Sequence, residues 1–139
     1  MAGFEYADVV RVQQREKSGA FLTALPEGFY GGLNDLIERV RVEYDKLASV
    51  DSSTLKATQT HSLIQKLRES QREIINVRSR KMLLMAHQMQ SGGTPDPTLL
   101  DALEQVAFVG IKLKLQEMHE AIGAAKPLEK PATDGGEAR

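Results

Sequence analysis

Residues 54–90 read "TLKATQTHSLIQKLRESQREIINVRSRKMLLMAHQMQ", a run that contains neither glycine nor proline. Nothing in it interrupts a helix, and at 1.5 Å per residue it would extend over about 50 Å. Ile64, Leu67, Gln71, Ile74, Arg78, Met82, Met85 and Met89 recur at intervals of three or four, a heptad-like seam that sets a glutamine and an arginine among apolar side chains. Leu63, Ile75, Val77, Leu83, Leu84 and Ala86 broaden the apolar surface toward its C-terminal half. A helix apolar on more than one side needs more than one neighbour, so this half is expected at the centre of the domain.

Both flanks are punctuated. On the N-terminal side "SVDSST" supplies a break, with Asp51, Ser52 or Ser53 as N-cap candidates. On the C-terminal side "SGGTPDPT" stops one helix at Gly92-Gly93 and restarts another, Asp96 capping and Pro97 taking the first position. Leu99, Leu100, Leu103, Val106, Ala107, Ile111, Lys114, Leu115, Met118 and Ile122 then define a last amphipathic helix, with Gly110 at a close crossing.

Upstream, Pro26 suits the first turn of a helix whose stripe runs Phe29, Leu33, Leu36, Val40, Tyr44 and Leu47, with Ile37 beside it. Leu25, Phe29, Tyr30 and Leu33 are its structural anchors. Gly31 and Gly32 lower helix propensity by about 1 kcal/mol each relative to alanine, which fits either close approach of a neighbour or a frayed first turn. Residues 4–17 form a short helix with Phe4, Tyr6, Val9 and Val12 on one side, ended by Ser18-Gly19. The expected fold is all-α, a bundle of about four helices over residues 1–123: one short, two medium and one long and central. Residues 124–139, rich in proline and charge, form a disordered tail or linker.

Among 139 residues, 41% hydrophobic and 27% charged, the aromatic share is 5% and tryptophan is absent, favouring aliphatic helix packing. The formal charge of −1 gives no global attraction to nucleic acid or membrane. The absence of cysteine removes disulfides, thiol catalysis and thiolate-bound zinc. No apolar run approaches the roughly 20 residues that cross a bilayer, and the N-terminus lacks a signal-peptide pattern, so a cytoplasmic location without membrane contact is expected.

Catalytic chemistry finds little support. His61, His87 and His119 lack ligand spacing, and no phosphate-binding glycine motif is present. Ser62, Ser70 and Ser79 lie inside the long helix rather than on a nucleophile elbow, and Glu38, Glu43, Glu69, Glu73 and Glu104 fall at solvent-facing positions. A non-enzymatic protein without cofactor or metal is expected.

Lys66, Arg68, Arg72, Arg78, Arg80 and Lys81 form a local basic cluster opposed by Glu69 and Glu73. Phosphate contact, chiefly through Lys66, Arg68 and Arg72, is one reading; their spread around the helix points instead to solvated or paired cations. Arg78 lies in the apolar seam and needs a buried carboxylate or an interface. The interface residues expected on this basis are Arg78, Arg80, Lys81, Met82, Met85 and Met89, the methionines forming a plastic surface or simply core.

The order of these features resembles the helical domain of a GINS subunit, from the replication-fork complex of archaea and eukaryotes. The likeness rests on Leu22, Leu25, Phe29 and Tyr30 at the entry to the second helix, and on Arg78, Arg80, Lys81, Met82, Leu83 and Ala86. It extends over most of residues 4–122 and is closest to the archaeal class in which the helical domain comes first. It implies a scaffold that assembles, with itself or other GINS subunits, into a tetramer joining the MCM helicase to a RecJ-like protein and to primase or DNA polymerase. It also implies a small β-rich domain after the helical one. The tail is too short for it, so that domain is either removed or naturally absent. The alternatives are a small helical DNA-binding protein using residues 66–81 and a helical adaptor of another pathway.

Overall fold

The glycine- and proline-free run is one helix, α3 (Leu55–Gln90), in a computed structural model that describes residues 4–128. Its N-cap is Thr54, whose hydroxyl accepts the Ala57 N–H at 3.1 Å, rather than Asp51, Ser52 or Ser53. The reason is that α2 (Phe29–Asp51) continues through the expected break, and Asp51 instead accepts the Ser53 N–H and hydroxyl in the turn between the helices. At its other end α3 stops where expected. Gly92 takes φ 95°, a left-handed conformation that favours glycine, and the Gly93 N–H returns to the Gln88 carbonyl at 2.8 Å.

Helix α1 (Tyr6–Ser18) buries Val9, Val12 and Glu16, and α2 buries Phe29, Leu33, Leu36, Ile37 and Val40. Both pack on α3, where Ile64, Leu67 and Ile74 complete the first of two apolar clusters. Pro26 does not open α2. It lies in the preceding turn, where its carbonyl accepts the Phe29 N–H, and left-handed Gly28 is the N-cap at φ 67°. The Phe4 and Phe29 rings meet edge-on at 5.6 Å, and Phe29 meets Tyr30 at 5.7 Å.

Between α3 and α4 the chain returns along α3. Asp96 and Pro97 start only a 3₁₀ turn (Pro97–Leu99), and α4 (Ala102–Gly123) begins with a capping box in which Asp101 and Glu104 satisfy each other's backbone N–H groups. Glu104 sits beside Arg78, while Phe108 joins Met82, Met85, Ala86, Leu22 and Leu100 in the second apolar cluster, with Ile111, Leu115 and Met89 at its margin. Helix α4 therefore runs beside the C-terminal half of α3 in the same direction.

This seating corrects the expected α4 face. Glu104, Phe108, Ile111 and Leu115 point inward, spaced by four, three and four, and Leu103 and Val106 face solvent; Met118 and Ile122 continue the inward stripe but are exposed because α4 there has passed the end of α3. The ion pair with Arg78 and the start at Asp101 set the rotation of the helix about its axis. Among the described residues Gly110 meets no close neighbour, so the crossing expected there is not seen in this part of the chain. The described part is all-helical, without strands, and no helix in it is long and apolar enough to cross a membrane. Residues 124–128 follow α4 as a turn and irregular chain; the rest of the expected tail lies outside the described residues.

The two glycines of α2 differ. A Cβ on Gly32 would overlap the Phe4 ring, whereas one on Gly31 meets nothing. Gly32→Ala should lower stability by about 1–3 kcal/mol through overpacking, and Gly31→Ala should raise it by up to about 1 kcal/mol through helix propensity. Urea denaturation of the two variants checks the opposite signs.

Candidate functional site

Arg78 is fully buried on α3, between the two apolar clusters, with Ile74 one turn before it and Met82 one turn after. A guanidinium in such surroundings needs all five N–H groups satisfied, and each has an acceptor. Nε and Nη2 grip the Glu104 carboxylate side-on at 2.6 and 2.7 Å. Nη1 donates to Glu16 Oε2 at 2.7 Å and to the Thr23 carbonyl at 2.8 Å, and Nη2 also donates to the Leu99 carbonyl at 3.2 Å.

The carboxylates are equally engaged. Glu16 accepts from the Thr23 hydroxyl at 2.7 Å and from Lys81 Nζ at 3.2 Å, and Lys81 also reaches the Glu16 and Phe21 carbonyls. Glu104 accepts from the Tyr30 hydroxyl at 2.5 Å and from the Asp101 N–H at 2.9 Å. Two cations and two carboxylates thus balance one another in the interior, and the bidentate Arg78–Glu104 pair is the strongest geometry such groups adopt.

Burial by itself raises the Glu104 carboxyl, but hydrogen bonds from Arg78, Tyr30 and the Asp101 N–H outweigh it and hold the group below its ordinary value. Burial, and then the negative Glu104 beside it, push the Tyr30 phenol well above its usual range. Burial disfavours the Arg78 cation, yet pairing with Glu104 and Glu16 raises its pKa further. The cluster is a neutral, closed lock joining all four helices.

The expected site residues are accordingly dispersed. Arg78 is fully buried and presents no surface to a second subunit; the buried-carboxylate alternative is the one realised, with Glu104 and Glu16. Met82 and Met85 are core and Met89 flanks it, so these methionines do not form a free recognition surface. Lys81 is tied to α1 and the loop after it, and Arg80 is exposed near Lys17 and Glu73. Phe29 and Leu33 are core anchors, with Leu25 and Tyr30 packed against them. Lys66, Arg68 and Arg72 are exposed. With Arg78 and Lys81 withdrawn, and Arg80 on a different side from Arg68, the six cations do not form one basic face.

Glu104 had been expected at the surface and is buried, and Glu16 was not singled out. Both had local signals. Glu16 continues the inward stripe of Val9 and Val12, and Asp101-x-x-Glu104 is a capping-box pattern.

A groove of about 350 Å³ lies between α2, α3 and α4, lined by Tyr30, Gln71, Ile75, Met82, Leu103 and Ala107. It continues along α3 past Arg72 and Arg68, neither of which forms an ion pair among the described residues.

Arg78→Ala would leave Glu104 and part of Glu16 uncompensated, so it should cost about 3–5 kcal/mol and melt the bundle rather than merely alter its assembly. Calorimetry and circular dichroism distinguish these outcomes. Because the folded Glu104 pKa is depressed, its contribution is fully present above the ordinary value of 4.5 and lost as pH falls through the folded value. The raised Tyr30 pKa has the opposite sense: its contribution is present below pH 10.0 and lost as pH rises beyond it. Urea midpoints followed toward acid pH should fall less steeply in Glu104→Gln, and those followed toward alkaline pH less steeply in Tyr30→Phe.

Comparison with protein-family models, curated proteins and solved structures returned no match to this chain.

Proposed function

We propose that this chain is a non-catalytic scaffold subunit of a GINS-type replication-fork complex in the cytoplasm. In this reading it assembles, alone or with other GINS subunits, into a tetramer that joins the MCM helicase to a RecJ-like protein and to primase or DNA polymerase. The support from sequence is the order of features through Leu22, Leu25, Phe29, Tyr30 and the Arg78–Ala86 run. The observation that carries the reading is the exposed apolar surface of α4: Leu103, Val106, Val109 and Leu113 along its outer side, and Met118 and Ile122 at its far end, where the inward stripe has run past α3. An apolar surface of that extent marks an assembly contact.

Direct DNA binding is the weaker reading, because the exposed cations are divided between faces and interspersed with Glu69 and Glu73. A helical adaptor of another pathway is separated from the scaffold by partner identity alone.

Tagged chain recovered from a native lysate should bring down the MCM helicase and a RecJ-like protein. Recovery of neither, with the chain folded, would overturn the replication assignment. Binding to duplex and single-stranded DNA should be weak, with a shallow dependence on salt; a steep loss of tight binding as salt rises would favour the DNA-binding reading instead.

A further inference from the structure

Helix α4 is apolar on two opposite faces. Glu104, Phe108, Ile111 and Leu115 pack inward, whereas Val106, Val109 and Leu113 are 76%, 59% and 52% exposed. At 3.6 residues per turn, position 113 lies about 180° around the helix from position 104. The outer stripe does not end in apolar residues: it continues one and two turns on into Glu117 and Glu120. A helix with two such faces is built to lie between two neighbours, and this chain supplies one.

The α2–α3–α4 groove carries the complementary series. From Met82 toward the N-terminus of α3, its edge reads Met82, Ser79, Ile75, Arg72 and Arg68. From Val106 toward the C-terminus, the outer stripe of α4 reads Val106, Val109, Leu113, Glu117 and Glu120. Both series advance by three, four, then a charged residue, and both cover about 21 Å at 1.5 Å per residue. Laid antiparallel, Val106 lies over the end of the groove whose floor is the core residue Met82, Leu113 meets Ile75, and Glu117 and Glu120 meet Arg72 and Arg68. Among the described residues Glu117 otherwise has only the exposed Lys114 at 3.3 Å, a pair of little energetic weight that is readily exchanged.

We propose that a second copy of this chain lays the outer stripe of its α4 into this groove, antiparallel to α3, while its own groove receives the first copy's α4. A twofold axis near Met82 and Leu103 produces both contacts at once, as an isologous interface requires. Each α4 is then sandwiched between the C-terminal half of its own α3 and the middle of the partner's α3. The apolar stripe supplies affinity, and the two Arg–Glu pairs at each end set direction and register. The inference stands on the match of charge and spacing; it shares the outer face of α4 with the replication reading but none of its partners, and the isolated chain is expected as this dimer, a tetramer requiring a further contact, so either can fail without the other.

Sedimentation equilibrium of the wild-type chain across the micromolar range should give twice the chain mass, and Leu113→Asp should reduce it to one. The double variants Arg68→Glu/Arg72→Glu and Glu117→Arg/Glu120→Arg should each be monomeric with unchanged helix content, since like charges then face one another across both contacts. Mixed together they should restore the dimer, because each groove again meets an α4 of opposite charge. A monomeric wild type would overturn the proposal and leave the groove to a partner of different sequence. Wild-type dimerisation of either double variant, or a mixture that stays monomeric, would overturn it as well.

Discussion

One guanidinium organises this fold. Arg78 sits on the central helix at the boundary between two apolar clusters, and its five donors reach Glu16 on α1, the Thr23 and Leu99 carbonyls in the connecting segments, and Glu104 on α4. Tyr30 of α2 joins through Glu104. Burying such a group without partners would cost several kcal/mol, so the elements that supply acceptors must arrive together. The same requirement makes the cluster directional: a carboxylate gripped side-on by Nε and Nη2 cannot rotate freely, and neither can the helix that bears it.

That restriction is felt most in α4. With Glu104 held at Arg78, Phe108, Ile111 and Leu115 turn inward to the second cluster, and Leu103, Val106, Val109 and Leu113 have to face outward. Here an internal electrostatic contact determines what surface the molecule presents. The N-terminal half of the bundle is held differently, by edge-on aromatic contacts among Phe4, Phe29 and Tyr30 and by the absence of a side chain at Gly32 where the Phe4 ring lies. Exposed links such as Lys17–Glu73 at 3.3 Å add little to that packing.

Much of the helical layout was legible in the chain. The stripe Phe29, Leu33, Leu36, Val40 is buried as its spacing implied, and the long run ends at Gly92 because no other residue takes its left-handed conformation as cheaply. Helix starts were less legible: Gly28, Thr54 and Asp101 begin the helices where Pro26, the Asp51–Ser53 turn and Asp96 were equally well equipped. Several residues in each break have capping side chains, and the choice among them is made by where the following apolar face must land. The polar site was only half legible. Arg78 announced itself as a charge in an apolar seam, yet its partners are 62 and 26 positions away and carry the same residue type as many surface glutamates.

The sequence by itself determined the number of helices, their approximate extent and the presence of a buried arginine at the centre of the longest, because these follow from local periodicity and from glycine and proline, whose effects act within a few residues. Only the tertiary structure decided that Glu16 and Glu104 neutralise Arg78, that Met82 and Met85 are core, and that the outer face of α4 is the apolar surface left to solvent. The reason is physical: helix propensity and amphipathic spacing are summed along the chain, whereas the pairing of buried charges is a distance condition in space. That condition is met only when all the helices that carry the groups have closed around it.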